Sequence, residues 1–257
     1  MRKLRVDMNE IFEHIERKVY KRTFLQQVDV RLEYPIIEKE KLTPELVEAV
    51  DEFFKNHFQL EQNNIPLSEN EIFLKDDEQQ LAFRFAPIAS MLSVGYKNYN
   101  TFYDSVLPYL YPLKEYVFKV LGRREVKTYL RKVNVFSTDN QSEVAQDKLE
   151  RLFLQNVFSS AFLSAEESKS RVRIDGEETE LSVRNFKTDG FTLELRTYIL
   201  HRENGLTSLF LDSIVSFDAG SSGLEDMLKK ANSLLFDSYH WAVSEGIIDV
   251  MNKETEV

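Results

Sequence analysis

SRVRIDGEETELSVRNFKTDGFTLELRTYILHRENGLTSLFLDSIVSF, residues 170–217, decides the fold class. Apolar and polar residues mostly alternate in it, and Asp175-Gly176, Asp189-Gly190 and Asn204-Gly205 each separate two alternating runs. An Asp-Gly or Asn-Gly pair accepts the positive φ angles of a two-residue hairpin turn, so the stretch predicts several antiparallel strands. A strand of period two buries one face, and another element must cover that face. A candidate cover follows directly. Ser222-Gly223-Leu224-Glu225 has capping-box spacing, and Leu224, Met227, Leu228, Ala231, Leu234, Leu235 and Trp241 line one side of a long amphipathic helix. Upstream, residues 125–137 read as a strand and residues 143–158 as a helix carrying Leu149, Leu152, Phe153 and Val157.

The same order of elements comes earlier in the chain. Val28, Val30, Leu32 and Tyr34 alternate with Asp29, Arg31 and Glu33, a half-buried strand that ends at Pro35. Thr43 suits a helix N-cap and Pro44 the first helical position, with Leu46, Val47, Val50, Phe53, Phe54 and Phe58 as the apolar stripe. Three short strands are expected near residues 71–75, 80–86 and 90–96, the first two joined by the polar turn Lys75-Asp76-Asp77-Glu78. A helix follows, with capping-box spacing from Thr101 to Asp104, kinked by Pro108 and Pro112 and ended by Gly122. Residues 9–22 place Ile11, Phe12, Ile15 and Val19 on one face of an amphipathic helix.

Both halves therefore read strand, helix, antiparallel strands, long helix. The expected fold is α+β, with these units duplicated and one or two curved antiparallel sheets carrying long helices on one face. Residues 1–22 form a helical arm, residues 23–122 the first α+β unit and residues 123–257 the second.

Leu130-Arg131-Lys132-Val133-Asn134 resembles the L-R-Y-I-N strand of a sporadically distributed, uncharacterised family of bacterial and archaeal proteins, with Lys132 where that family usually has an aromatic residue. Phe24–Tyr34 is similar to the family's opening strand, Leu92–Tyr103 to its strand leading into an aromatic helix start, and Leu211–Phe217 to its last strand. Ala231–Met251, with Phe236, Trp241, Ala242 and Val243, is similar to its closing helix. The resemblance spans most of the chain and implies a similar length and architecture. The family's patchy distribution implies an accessory role beside a mobile defence or toxin system. No catalytic residue or cofactor comes with it.

Composition closes off several chemistries. The 257 residues include no cysteine, which excludes disulfides, thiolate zinc sites, iron–sulfur clusters and a cysteine nucleophile. Apolar runs such as Ala82–Val94 are broken by Arg84, Pro87 and Ser90, and none reaches the ~20 residues of a membrane span. No apolar segment follows the basic start Met1-Arg2-Lys3-Leu4-Arg5, so no secretory signal is expected and a cytoplasmic location is. A net charge of −10 argues against nucleic acid, and Lys21-Arg22, Arg123-Arg124 and Lys229-Lys230 are only isolated basic doublets.

The chain carries little that resembles a catalytic motif. None of its eight glycines precedes a lysine, which removes the P-loop, and no glycine spacing fits a dinucleotide fingerprint. His14, His57, His201 and His240 are far apart in sequence. Arg196 and His201 have the Arg-x4-His spacing of one class of helical ribonucleases, but on an expected strand residues five apart point to opposite faces, which argues against that pair. Asp175 with Glu194 and Arg196 superficially matches a metal-nuclease core, but Asp175 is also the turn residue before Gly176. No metal site, catalytic residue or cofactor is therefore expected. Arg131 and Asn134 lie an odd number of residues apart on a central strand, so one faces the covered side, in a structural network or against a ligand.

Aromatic residues concentrate around the kinked helix at Tyr96, Tyr99, Phe102, Tyr103, Tyr109, Tyr111 and Tyr116. A bend at Pro108 and Pro112 projects their neighbours outward, which makes Tyr109, Tyr111 and Tyr103 candidate partner-binding residues. The sequence thus points to a non-enzymatic binding protein for a macromolecular partner, a protein in particular, and homo-oligomerisation is compatible with that reading. The alternatives are a small-molecule sensor with a cavity between sheet and helices, and a metal-dependent nuclease.

Overall fold

The computed structural model describes residues 12, 14–15, 23–38, 41, 43–58, 71–78, 80–98, 100–121, 125–138, 153–154, 166–187, 190–201, 207–220 and 222–252. The described strands are β1 (Leu25–Glu33), β2 (Ile72–Asp76), β3 (Leu81–Ala86), β4 (Ala89–Gly95), β5 (Val126–Thr138), β6 (Glu166–Ile174), β7 (Glu177–Lys187), β8 (Thr192–His201) and β9 (Thr207–Ala219). They hydrogen-bond into one sheet in the order β2-β3-β4-β1-β5-β9-β8-β7-β6. The fold is α+β and predominantly antiparallel. Its described helices are α1 (Pro44–Phe58), a composite segment α2 between Phe102 and Leu121, α3 (Leu224–Ala242) and α4 (Glu245–Asn252). The chain divides into two compact units, one of residues 27–131 and 216–230, the other of residues 1–26, 132–215 and 231–257.

In the unit of residues 27–131 and 216–230, the alternation of β1 decides what is buried. Val28, Val30 and Leu32 are essentially inaccessible, while Arg31 between them is exposed. β4 pairs with β1 through Val30↔Leu92 and with β3 through Phe83↔Leu92, which aligns three apolar faces. β2 continues the meander through Leu74↔Phe83. α1 starts as its sequence predicts, with the Thr43 hydroxyl accepting the Leu46 N–H at 3.4 Å. Its Phe54 ring stacks on Phe83, with centroids 3.7 Å apart. The turn into β3 places Gln80 at φ 52°, and its carbonyl accepts the Gly95 N–H at 2.8 Å.

α2 is not a regular helix. It joins Phe102–Val106 (π), Leu110–Pro112 (α), Leu113–Val117 (π) and Phe118–Leu121 (α). The prolines explain part of this. Pro112 has no N–H for the Pro108 carbonyl, which instead accepts from Tyr111 at 3.0 Å, three residues along. In the wide turn before Pro108, Leu107 donates to the Phe102 carbonyl, five residues back, at 3.0 Å. The capping box expected at Thr101 is not formed. The Thr101 hydroxyl accepts from the Lys97 and Asn98 amides, each at 3.1 Å, and donates to the Asn98 carbonyl at 2.7 Å, closing the preceding turn.

The other unit contains the β6–β7 hairpin, whose turn is the one its sequence predicts: Asp175 at φ 49° and Gly176 at φ 88° connect the pair Ile174↔Glu177. Gly190 also has positive φ, at 91°. Asp189 and Asn204-Gly205 lie outside the described residues. One apolar cluster combines Phe136, Ile199, Leu209 and Leu211 with Tyr239, Val243 and Ile247 of the helical segment. A second combines Val133, Tyr198, Leu200 and Phe210, each an odd number of residues along its strand from a member of the first. Successive strand residues face opposite ways, so this part of the sheet buries apolar side chains on both faces.

Two expected helices need correction. Phe12 is at a bend, and His14 and Ile15 are non-helical, so no regular helix runs through them; the rest of 9–22 lies outside the described residues. Phe153 is helical as expected, but Leu154 forms an antiparallel bridge with Val243, so the helix expected over 143–158 does not continue through it. The remainder of that segment, apart from Phe153, is also outside the described residues. α3 begins at Leu224 as expected, but the Glu225 carboxylate pairs with Lys229 at 2.9 Å and Lys114 at 3.1 Å.

The turn geometry gives a first prediction. Gly176→Ala places a Cβ at φ +88° and should cost ~1 kcal/mol or more in urea denaturation, whereas Gly223→Ala, with open space and ordinary φ, should change stability by less than ~0.5 kcal/mol.

Candidate functional site

α2 carries its buried residues at Phe102, Val106, Tyr109, Leu110, Pro112, Leu113, Val117, Phe118 and Leu121. That spacing is a nearly continuous helical stripe despite the two prolines. Tyr109 is therefore a core residue, which corrects its expected role in partner binding. It is fully inaccessible, its ring centroid lies 5.8 Å from that of Phe54 and 6.0 Å from that of Phe83, and its hydroxyl donates to the Ser90 hydroxyl at 2.7 Å. Tyr34 shares the site, donating to the Ala86 carbonyl at 2.8 Å. Burial drives both phenols to pKa values far above the ordinary tyrosine range, against a smaller lowering by hydrogen bonding to Ser90.

Tyr111 and Tyr103 lie on the other side of α2 and are 56% and 42% exposed. Charged residues surround them. Lys114, one turn beyond Tyr111, pairs with Glu225, which also holds Lys229. The hydrogen bonds from Lys229 and then Lys114 lower the Glu225 pKa. Lys229 is raised, first by its hydrogen bond to Glu225 and in small part by the neighbouring Tyr103 phenol. Glu115 and Lys119 form a further ion pair along the exposed side.

The sequence reading did not anticipate the exposure of Ile36, Ile88 and Met91. The Tyr34 amide donates to the Ile88 carbonyl at 3.1 Å and the Ile37 amide to the Pro87 carbonyl at 2.9 Å, bringing the residues after β1 beside the β3–β4 turn. Met91 lies across from Arg31 in the β1–β4 ladder. No local sequence pattern signals this grouping, because it depends on strand register.

Arg131 and Asn134 take opposite sides of β5, as their spacing requires. Arg131 donates to the buried Asp29 carboxylate at 3.0 Å, and Gln27 bridges Asp29 and Ser93 at 2.8 and 2.9 Å. This is a polar network of adjacent strands. Asn134 is buried at 5% exposure.

The acidic set does not converge. Asp175 occupies the β6–β7 turn, while Glu194 lies across from Asn185 and pairs with Arg196. Glu177, two residues after Asp175, accepts the His201 amide at 2.9 Å, seven residues along β8 from Glu194. At ~3.3 Å per residue this separates the two acids by roughly 23 Å. The histidines are equally dispersed: His57 stacks on Phe53, His201 contacts the Thr207 hydroxyl, His240 contacts the Phe236 carbonyl and His14 contacts Asp237. Among the described residues, no group of three or more His, Asp or Glu side chains could hold a metal ion. No helix of the described residues is long and apolar enough to cross a membrane.

No protein-family model matches the chain. No curated protein is significantly similar to it in sequence.

Tyr109→Ala should destabilise the protein by ~3 to 5 kcal/mol and Tyr109→Phe by ~1 kcal/mol, while Tyr111→Ala should stay within ~0.5 kcal/mol, as read by chemical denaturation. A raised folded-state pKa also makes stability depend on alkaline pH. Above the unfolded tyrosine value of ~10, the unfolded chain loses protons that Tyr34 and Tyr109 retain when folded, so stability falls as pH rises. Denaturation series from pH 8 to 11 should show that fall, and it should be shallower in Tyr34→Phe.

Proposed function

We propose that this chain is a non-enzymatic binding protein that recognises a protein partner through the exposed side of α2. The observation that carries the reading is the sorting of tyrosines on one short helical segment: Tyr109 is in the core, while Tyr103 and Tyr111 face solvent. Tyrosine has few rotatable bonds and offers a broad apolar face with a polar tip, so it buries a large area on docking at low entropic cost. Lys114, Glu225 and Lys229 supply the polar surround that such contacts have in protein interfaces. The dispersed histidines and the separation of Asp175 from Glu194 support a binding role over a nuclease.

The same proposal includes a cytoplasmic location, an accessory role beside a mobile defence or toxin system, and an internal duplication. The sheet order supports the last of these. β1 is followed in the sheet by β4, β3 and β2, and β5 by β9, β8, β7 and β6, so each half starts with a strand and lays its later strands beside it in reverse order.

Affinity capture from the host with wild-type protein and with Tyr103→Ala and Tyr111→Ala variants tests the binding surface. Each substitution should weaken capture of the partner by ~1 to 3 kcal/mol of binding free energy while the melting temperature stays within a degree or two. Equal capture by wild type and by the doubly substituted protein would remove α2 from the interface.

A further inference from the structure

Phe12 is only 2% exposed and packs against residues far along the chain. Its ring meets Phe186 of β7 edge-on, with centroids 5.4 Å apart, and Trp241 of α3 at 5.2 Å. Two and three residues later the chain is held again by one side chain. Asp237, one helical turn before Trp241, accepts the Ile15 amide at 3.2 Å on one oxygen and lies 3.1 Å from the His14 ring on the other. The Asp237 side chain is 10% exposed, whereas that of His14 is 76% exposed. Phe12, His14 and Ile15 are outside any helix or strand, so neither a helix nor a sheet ladder holds them in place.

We propose that Phe186, Trp241 and Asp237 form a docking site for a non-helical, aromatic-bearing peptide segment, and that Phe12, His14 and Ile15 of this chain occupy it as a detachable latch. The site reads two features together: an aromatic ring in a socket of two aromatic rings, and a backbone amide with a neighbouring donor on a carboxylate. Asp237 and Trp241 are four residues apart on α3 and so present both features on one side of that helix. Phe12, His14 and Ile15 make these contacts with side chains of a folded surface and belong to no strand, so they open as a local unit while β8 and β9 stay closed. Opening uncovers Phe186 and Trp241.

Trp241 is the single tryptophan of the chain, so its emission reports the site directly. In the full chain, amide exchange at Ile15 should be at least ~100-fold faster than at the protected β8 and β9 amides, and Asp237→Asn should accelerate it further. Phe12→Ala should raise quenching of Trp241 by acrylamide severalfold with β8 and β9 protection retained. A synthetic peptide of residues 8–18 added to that variant should restore shielding, and the same peptide with alanine at its phenylalanine should not. Exchange at Ile15 only at the rate of the β8 and β9 amides would overturn the latch. So would a Phe12→Ala protein that fails to fold, since the segment would then be core. Absence of restored shielding at millimolar peptide would overturn the docking site.

Discussion

The ring of Tyr109 contacts Phe54 of α1 and Phe83 of β3, and its hydroxyl reaches Ser90 of β4. That one side chain ties two helical segments to the sheet of its unit and fixes the rotational phase of α2. With Tyr109 turned inward, Tyr103 and Tyr111 face outward. The hydroxyl would be costly to bury without a partner, and the Ser90 oxygen meets that requirement. Ordering and exposure along α2 therefore follow from the same contact. The proposed binding surface is the far side of a packing solution.

Local chemistry made much of the architecture legible. Val28, Val30 and Leu32 announced β1 by period two, Thr43-Pro44 announced the start of α1, and Asp175-Gly176 announced a turn whose two φ angles are both positive. Each of these signals is contained within a few residues. The assignment of Tyr109 failed although the sequence held the answer. Seven residues separate Phe102 from Tyr109, which is two helical turns and the same face, whereas nine separate Phe102 from Tyr111. Pro108 and Pro112 suggest a bend that would break that period, but α2 absorbs both prolines through wide and tight turns and keeps its buried stripe. The capping box at Thr101 failed for a different reason: its hydroxyl closes the preceding turn.

Long-range pairings were not legible. His14 and Asp237 are 223 residues apart, and no periodicity links Phe12 to Trp241. The pairing of Arg131 with Asp29 across 102 residues likewise needed the strand order, which sets which charged side chains become neighbours. The outer strand β6 shows how the sequence also guards what it leaves open. Lys169, Arg171 and Arg173 stand across from Ser182, Glu180 and Glu178, and Lys169 bonds to Glu180 at 3.2 Å. A row of charges on an edge strand discourages pairing with another chain, so β6 is poorly suited to extend the sheet.

Fluorine NMR of protein labelled with 3-fluorotyrosine tests the sorting of tyrosines most directly, because each resonance can be assigned by a single Tyr→Phe replacement. With a soluble paramagnetic relaxation agent, the Tyr103 and Tyr111 signals should broaden strongly while Tyr34 and Tyr109 stay sharp. Addition of the captured partner should then protect Tyr103 and Tyr111. Strong broadening of Tyr109, or a partner that leaves both Tyr103 and Tyr111 as accessible as before, would contradict the account.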